Sequence, residues 1–278
     1  MLADTAVLAR DCAARKVGLA AFNVVLLDHA EAFVDAAENT GLPLVLQLSQ
    51  NAVKHHGGRL RPLGRALIEL AEASTVPVSV HLDHAESTDL CREAVELGFT
   101  SIMYDGSKLP DAQNRETTAE ITAFAHEHGV SVEAELGEVG GKNGVHDPSA
   151  RTNPEDAAQF VADTGVDLLA VAVGSSHAMA TREAVLDNQL IAAIHELVPV
   201  PLVLHGSSGV PDEGMVAAIQ AGMTKINVST HLNVVFTQGV RQILDENPKI
   251  VDPRKYVGPA THSVQEEVER LMRLYAQA

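Results

Sequence analysis

Short apolar runs rich in β-branched residues recur along this chain, separated by longer stretches in which apolar positions repeat every three to four residues. Eight such runs stand out, at 18–23, 43–49, 77–83, 101–105, 131–135, 168–173, 201–205 and 225–228. Most are predominantly apolar, the pattern of a strand buried on both faces of a parallel sheet. The stretches between them read as helices. In 29–40, Ala30, Phe33, Val34 and Ala37 fall on one face before Gly41 ends the run. Segments 86–97, 112–128, 154–164 and 212–221 end in the same way, at Gly98, Gly129, Gly165 and Gly222, where a residue free to turn left-handed closes a helix. Eight regular βα units predict an α/β protein, a (β/α)8 TIM barrel, formed by residues 1–278 as a single domain. Beyond the eighth strand, 230–278 predicts additional C-terminal helices with a break at DPRKY, 252–256. The polar, glycine-rich stretch 137–153 predicts a long loop after the fifth strand.

Composition agrees with this architecture and narrows the partners. The 278 residues are 46% hydrophobic, enough for one large core, and barrels of this kind run to roughly 250 residues. Lys and Arg number 20 against 37 Asp and Glu, a formal net charge of -17. A surface that attracts a nucleic-acid backbone or anionic lipid needs the opposite excess, so neither nucleic acid nor a membrane is an expected partner. No run of about 18 apolar residues suggests a membrane span. The only cysteines, Cys12 and Cys91, lie in helical segments without paired spacing. Together these features predict a cytoplasmic protein without a disulfide framework.

In a (β/α)8 barrel the chemistry sits where the strands end, and here the apolar runs finish on polar groups. They lead into Asn23, Ser49, Asp83 with His84, Asp105, Glu135, His177, His205 and Asn227. A lone histidine passes for a hydrogen-bonded buried side chain. Three at the ends of the third, sixth and seventh strands, His84, His177 and His205, instead suggest a metal site with open positions for substrate oxygens, zinc foremost. Asp83 beside His84 suits a proton shuttle or a carboxylate that orients a ligand. Asp105 and Glu135 fit a supporting role or a second cation site. After the seventh and eighth strands, HGSSGVP (205–211) and NVST (227–230) offer small residues whose backbone N–H groups suit a phosphate.

The segments AFNV (21–24), VHLDHAES (80–87), MYDGSKLP (103–110), VEAELGEVGG (132–141), VDLLAVAVGSSH (166–177), PLVLHGSSGVP (201–211) and TKINVST (224–230) together resemble the class II, metal-dependent aldolases, in the branch of tagatose- and fructose-bisphosphate aldolases. The resemblance spans nearly the whole chain. It implies a lyase that reversibly cleaves a ketose phosphate into a dihydroxyacetone-phosphate-like unit and an aldehyde. It also implies one Zn2+ on His84, His177 and His205, with Asp83 as the catalytic proton-transfer group. Asp105 and Glu135 would lie near the metal, where a second divalent or a monovalent cation could bind. Asn23, Ser49, Gly206, Ser208, Asn227 and Thr230 would bind substrate or its phosphate, and the protein would form a homodimer or homotetramer.

Three departures from the family pattern concern the substrate. Lys142 and Asn143 follow Gly140 and Gly141 where a loop glutamate is usual, leaving Glu138, His146 and Asp147 as alternatives in the same loop. Ala178 replaces the glycine after His177, and Arg182 stands in for a lysine at the phosphate. Ser207 occupies a common alanine position. An aldolase for another sugar or keto acid, and a non-catalytic metal-binding barrel, therefore stay open as alternatives.

Overall fold

The computed structural model describes residues 1–136, 151–176, 179 and 181–278. Helix α1 (Thr5–Arg15) precedes β1 (Leu19–Asn23), α2 (Leu27–Thr40), β2 (Leu44–Ser49), α3 (Gln50–His55), α4 (Leu60–Ala73) and β3 (Val78–Ala85). Next come α5 (Thr88–Leu97), β4 (Ser101–Tyr104), α6 (Asp111–Glu127), β5 (Ser131–Glu135), α7 (Pro154–Thr164) and β6 (Leu168–Ala170). The chain ends with α8 (Asn188–Leu197), β7 (Leu202–Leu204), α9 (Asp212–Ala221), β8 (Met223–Val228), α10 (Thr230–Glu246) and α11 (Arg254–Ala276). The strands pair in chain order, all parallel, and β8 closes onto β1. All eight expected strands are present. The sixth is shorter than its apolar run, stopping at Ala170, while the third continues past Asp83 to Ala85.

Alternation along each strand sorts side chains between two cores. On β2, Leu44, Leu46 and Leu48 join the cluster shared with the surrounding helices, whereas Val45 belongs to the barrel interior with Leu19, Ala21, Leu168, Ala170 and Val203. That inner cluster continues into Ala6, Ala9 and Cys12 of α1. These three recur at a three-residue spacing that gives α1 a narrow apolar face. Helix α1 therefore closes the end of the barrel opposite the strand termini, and Thr5 Oγ1 reaches Ser79 Oγ of β3 at 2.5 Å. The C-terminal helices pack on each other and on α2, and the last turn of α11 buries Met272 and Tyr275.

Two irregularities in the ladder aim functional residues. Leu82 pairs with Ile102 but Ala85 with Tyr104, so β3 carries one extra residue across that step. Between β7 and β8, Leu202 pairs with Met223 and Val203 with Lys225, again one residue out of step. Such bulges bend a strand and redirect a side chain.

Candidate metal centre and active site

Neighbouring residues on a regular strand face opposite sides, so Asp83 and His84 cannot both enter the barrel unless the backbone breaks rhythm. It does so at the β3 bulge, where His84 takes the left-handed conformation (φ 47°), an uncommon state for a residue other than glycine. Both side chains then line one cavity of about 200 Å³ at the strand ends, with Asn23, Ser49 and His205. Its other side is formed by Gly206, Ser208, Asn227, Ser229 and Thr230.

The imidazoles are oriented from behind. His84 Nδ1 lies 2.9 Å from Asp105 Oδ2, and His205 Nε2 lies 2.9 Å from Glu133 Oε1. Donation of each ring N–H to its carboxylate turns the other nitrogens, His84 Nε2 and His205 Nδ1, toward each other at 2.8 Å. Two ring lone pairs at that separation call for a cation or a shared proton between them. Asp83 adds a carboxylate oxygen as a third potential ligand atom. Its carboxylate is buried, Oδ2 accepts 2.7 Å from Asn23 Nδ2, and Oδ1 has no hydrogen-bond partner among the described residues. Ligand atoms of Asp83, His84 and His205 all fall within 4.8 Å of one another, as do those of His84, Asp105 and Glu135. An acidic and imidazole donor set of this kind fits a divalent transition metal such as zinc.

Electrostatics point the same way. Burial pulls the His84 imidazole down, but the Asp83 charge, the Asp105 hydrogen bond and the Glu135 charge outweigh it and raise the pKa to about 10. The pocket thus favours positive charge at this nitrogen, whether supplied by a proton or by a cation. Burial raises the Asp105 carboxyl, yet the hydrogen bond and charge of His84, with two hydrogen bonds from Ser107, hold it well below the usual range.

Beneath the histidines lies a buried polar layer that the reading of strand ends missed. Lys225 Nζ donates to Gln47 Oε1 (2.5 Å), Glu133 Oε2 (2.8 Å) and Asn227 Oδ1 (2.9 Å), using all three of its protons. Lys225, Glu133 and Gln47 have no solvent exposure. His81 sits beside them, its pKa pushed well below the ordinary value by burial and then by the Lys225 charge. A buried charge pair with every remaining hydrogen bond made holds its geometry tightly. Here the pair holds the ring of His205. The available signal was positional: Gln47, His81, Glu133 and Lys225 each sit two residues before an identified strand-end group, on the same inward face.

The expected residues that the structure describes can now be located. Asn23 orients Asp83, while Ser49 accepts from Ala52 N and caps α3 at the cavity wall. Gly206 has a left-handed φ of 68°, and a Cβ there would lie 2.7 Å from the backbone of Ser176, so no other residue fits without displacement. Asn227 is held by Lys225 and approaches His205 Nε2 at 3.1 Å. Ser208 Oγ accepts from His231 N, Ser207 Oγ donates to the Asn227 carbonyl, and Thr230 opens α10. Arg182 differs from the expectation of a phosphate ligand. Its Nε and Nη2 donate to the Val210 carbonyl (3.0 and 2.8 Å), Nη2 also donates to Asp212 Oδ1, and the cavity lining does not include it. His177 and Ala178 lie outside the described residues, as do Glu138, Lys142, Asn143, His146 and Asp147.

Comparison with known proteins identifies the family. The family model for class-II fructose-bisphosphate aldolase matches residues 3–278. A fructose-bisphosphate aldolase of Thermus caldophilus is 39% identical over 293 residues, covering 96% of this chain and 95% of the relative. One from Geobacillus stearothermophilus is 38% identical over 262 residues, covering 93% and 91%. The crystal structure of the YdjI aldolase from Escherichia coli K12 superposes with a TM-score of 0.87 at 31% identity, covering 99% of this chain and 97% of that one. With the barrel, the paired histidines and Asp83 at the strand ends, these matches establish that the chain is an aldolase, a lyase belonging to the class-II fructose-bisphosphate aldolase family.

Proposed function

We propose that this protein reversibly cleaves a phosphorylated ketose into a dihydroxyacetone-phosphate-like unit and an aldehyde, with Zn2+ held by His84, His177 and His205. The observation that carries the reading is the buried Asp83 carboxylate in the cavity lining, one oxygen fixed by Asn23 and the other without a hydrogen-bond partner among the described residues, beside two convergent imidazoles. Zinc, when bound there, supplies the Lewis acidity that draws electron density toward the substrate carbonyl as the bond breaks.

In the cleavage direction, Asp83 Oδ1 accepts the proton of the hydroxyl on the carbon being released. That oxygen becomes the aldehyde carbonyl, and the carbon–carbon bonding pair passes to the ketone-bearing fragment as an enediolate. In synthesis Asp83 returns the proton. Asn23, donating to Oδ2, fixes the orientation of the carboxylate and leaves Oδ1 to take the proton. The proton at the enediolate carbon falls to a group of the 137–153 segment, where Glu138, His146 and Asp147 are the candidates.

The phosphate end is read from donors rather than charges. Helix α10 begins at the cavity with Thr230, and Ser229 makes no side-chain cap to its first turn, so N–H groups and the positive end of the helix dipole face the opening. Ser208 Oγ already accepts from His231 N, and its own proton is available to an anion. The placement of Arg182 favours a second reading within the same class, an aldolase for another sugar or keto acid. Among the described residues, no lysine or arginine lines the cavity.

The same proposal takes residues 1–278 as one domain of a cytoplasmic homodimer or homotetramer. Helix α10 fully buries only Leu232 within one chain, leaving Val235 and Phe236 half-covered.

The test is cleavage of a panel of ketose bisphosphates, ketose monophosphates and unphosphorylated sugars by the purified protein, before and after chelation. The expected result is cleavage of a phosphorylated ketose that chelation abolishes and added zinc restores. Zinc binding without cleavage of any sugar or keto acid would support the non-catalytic barrel instead.

A further inference from the structure

Behind the phosphate side of the cavity, five side chains outside its lining form a chain of ion pairs. Arg182, between β6 and α8, donates to Asp212 Oδ1 at 2.5 Å. Asp212 Oδ2 accepts from Arg270 Nη1 at 2.6 Å, and Arg270 grips both oxygens of Glu267 at 2.7 and 2.8 Å. Glu267 Oε1 in turn lies 2.6 Å from Nε2 of His231. The chain ends at the cavity, because the backbone N–H of His231 donates to Ser208 Oγ. At its other end Arg182 also holds the Val210 carbonyl, next to the turn Ser207–Gly209.

Two pieces of backbone are thereby tied to one scaffold. The Ser207–Gly209 turn is pinned through Val210 and Arg182, and the first turn of α10 through His231, Glu267 and Arg270 of α11. These are the two pieces to which the proposed function assigns the phosphate-side donors. Pairing is extensive enough to fix geometry: Glu267 and Asp212 each accept from two cationic or imidazole groups, and the side chains of Glu267 and His231 are only 17% and 22% exposed.

We infer that Arg182, Asp212, Arg270, Glu267 and His231 are positioning residues for a phosphate monoester, holding Ser208 and the first turn of α10 at the separation that lets both donate to one anion. The inference rests on the phosphorylated-ketose reading above. It assigns Arg182 a part in phosphate affinity without contact with the phosphate. It also accounts for two carboxylates placed behind an anion site, where through-space repulsion alone would weaken binding.

That sign supplies the test. Glu267→Gln and Asp212→Asn each remove a negative charge, so electrostatics without positioning makes both bind phosphate more tightly. Positioning makes both bind it more weakly. The measurement is calorimetric titration of inorganic phosphate into the zinc-loaded protein and its variants, with KM and kcat for ketose phosphate cleavage. The expected result is phosphate affinity reduced about tenfold in both variants, a matching rise in KM, kcat within about twofold, and zinc content unchanged. Arg270→Lys keeps every charge but loses the two-pronged grip, and is expected to weaken phosphate as well. Asp252→Asn, at an exposed pair with Arg254, is the charge control and is expected to match the parent.

Phosphate bound as tightly or more tightly by Glu267→Gln, Asp212→Asn and Arg270→Lys overturns the inference. Cleavage by a parent protein that binds no phosphate also overturns it, and leaves the aldolase reading intact. Phosphate binding that falls in the variants of a protein that cleaves no ketose phosphate supports the positioning role and removes the proposed substrate instead.

Discussion

The two sides of the cavity are built by different means. On the histidine side, side chains face the opening and buried charges set them: Asp105 behind His84, and Glu133 with Lys225 behind His205. On the opposite side the groups facing the opening are largely backbone and hydroxyl, and the charges behind them form a partly exposed ion-pair chain. The difference follows from what each side is proposed to hold. A metal ion needs lone pairs in fixed directions, which imidazoles and carboxylates provide once their second atoms are committed. A phosphate can be held by N–H groups that every residue carries, provided the backbone is correctly placed.

This contrast can be broken at three points, in order of expected effect. Glu133→Gln removes the charge that orients His205 and leaves Lys225 without its buried counter-ion. Zinc affinity is expected to fall about 10–100-fold, read by competition with a chromogenic chelator. The uncompensated charge is expected to cost about 3–5 kcal/mol in folding stability, read by denaturant unfolding. Unchanged zinc affinity would show that the buried layer does not act on the metal side.

Gly206→Ala tests the backbone side. The left-handed φ of 68° and the Ser176 backbone 2.7 Å from the new methyl predict a loss of about 1–3 kcal/mol. KM for a phosphorylated substrate should rise while zinc content holds. A variant with parental stability and KM would mean that this turn is not constrained by its contact with Ser176.

The smallest effect is a pH dependence. Burial raises the Glu267 carboxyl, but hydrogen bonds from Arg270 and His231 outweigh it and lower the folded-state pKa from 4.5 to about 2. A lowered carboxylate pKa stabilises the fold fully above the unfolded value and loses that contribution as pH falls through the folded one. The stability gap between the parent and Glu267→Gln should therefore be widest above pH 4.5 and narrow as pH falls toward 2, read from thermal unfolding midpoints. A gap independent of pH would rule out a stabilising ionised Glu267.

The contrast also governs what could be read from sequence. Strands were legible because a parallel barrel buries them on both faces, which leaves mostly apolar runs in the sequence. The histidine side was legible because those runs end in His84, His205 and Asp83, residue types that chemistry requires there. Glu133 and Lys225 were not distinguished, since one inward charge inside an apolar strand gains its meaning only from a partner on a distant strand. The left-handed turn at His84 left no mark because histidine is not the residue type that usually announces it. Arg182 shows the limit on the phosphate side. Its charge and its place near that corner suggest a ligand, and only the fold reveals that Val210 and Asp212 hold it.

The most direct test of the account is Asp83→Asn in the zinc-loaded protein, with cleavage rate and bound zinc measured on the same sample. Loss of the proton-accepting oxygen is expected to lower kcat about 10²–10⁴-fold while zinc stays bound. An unchanged kcat at full zinc occupancy would contradict the role assigned to Asp83.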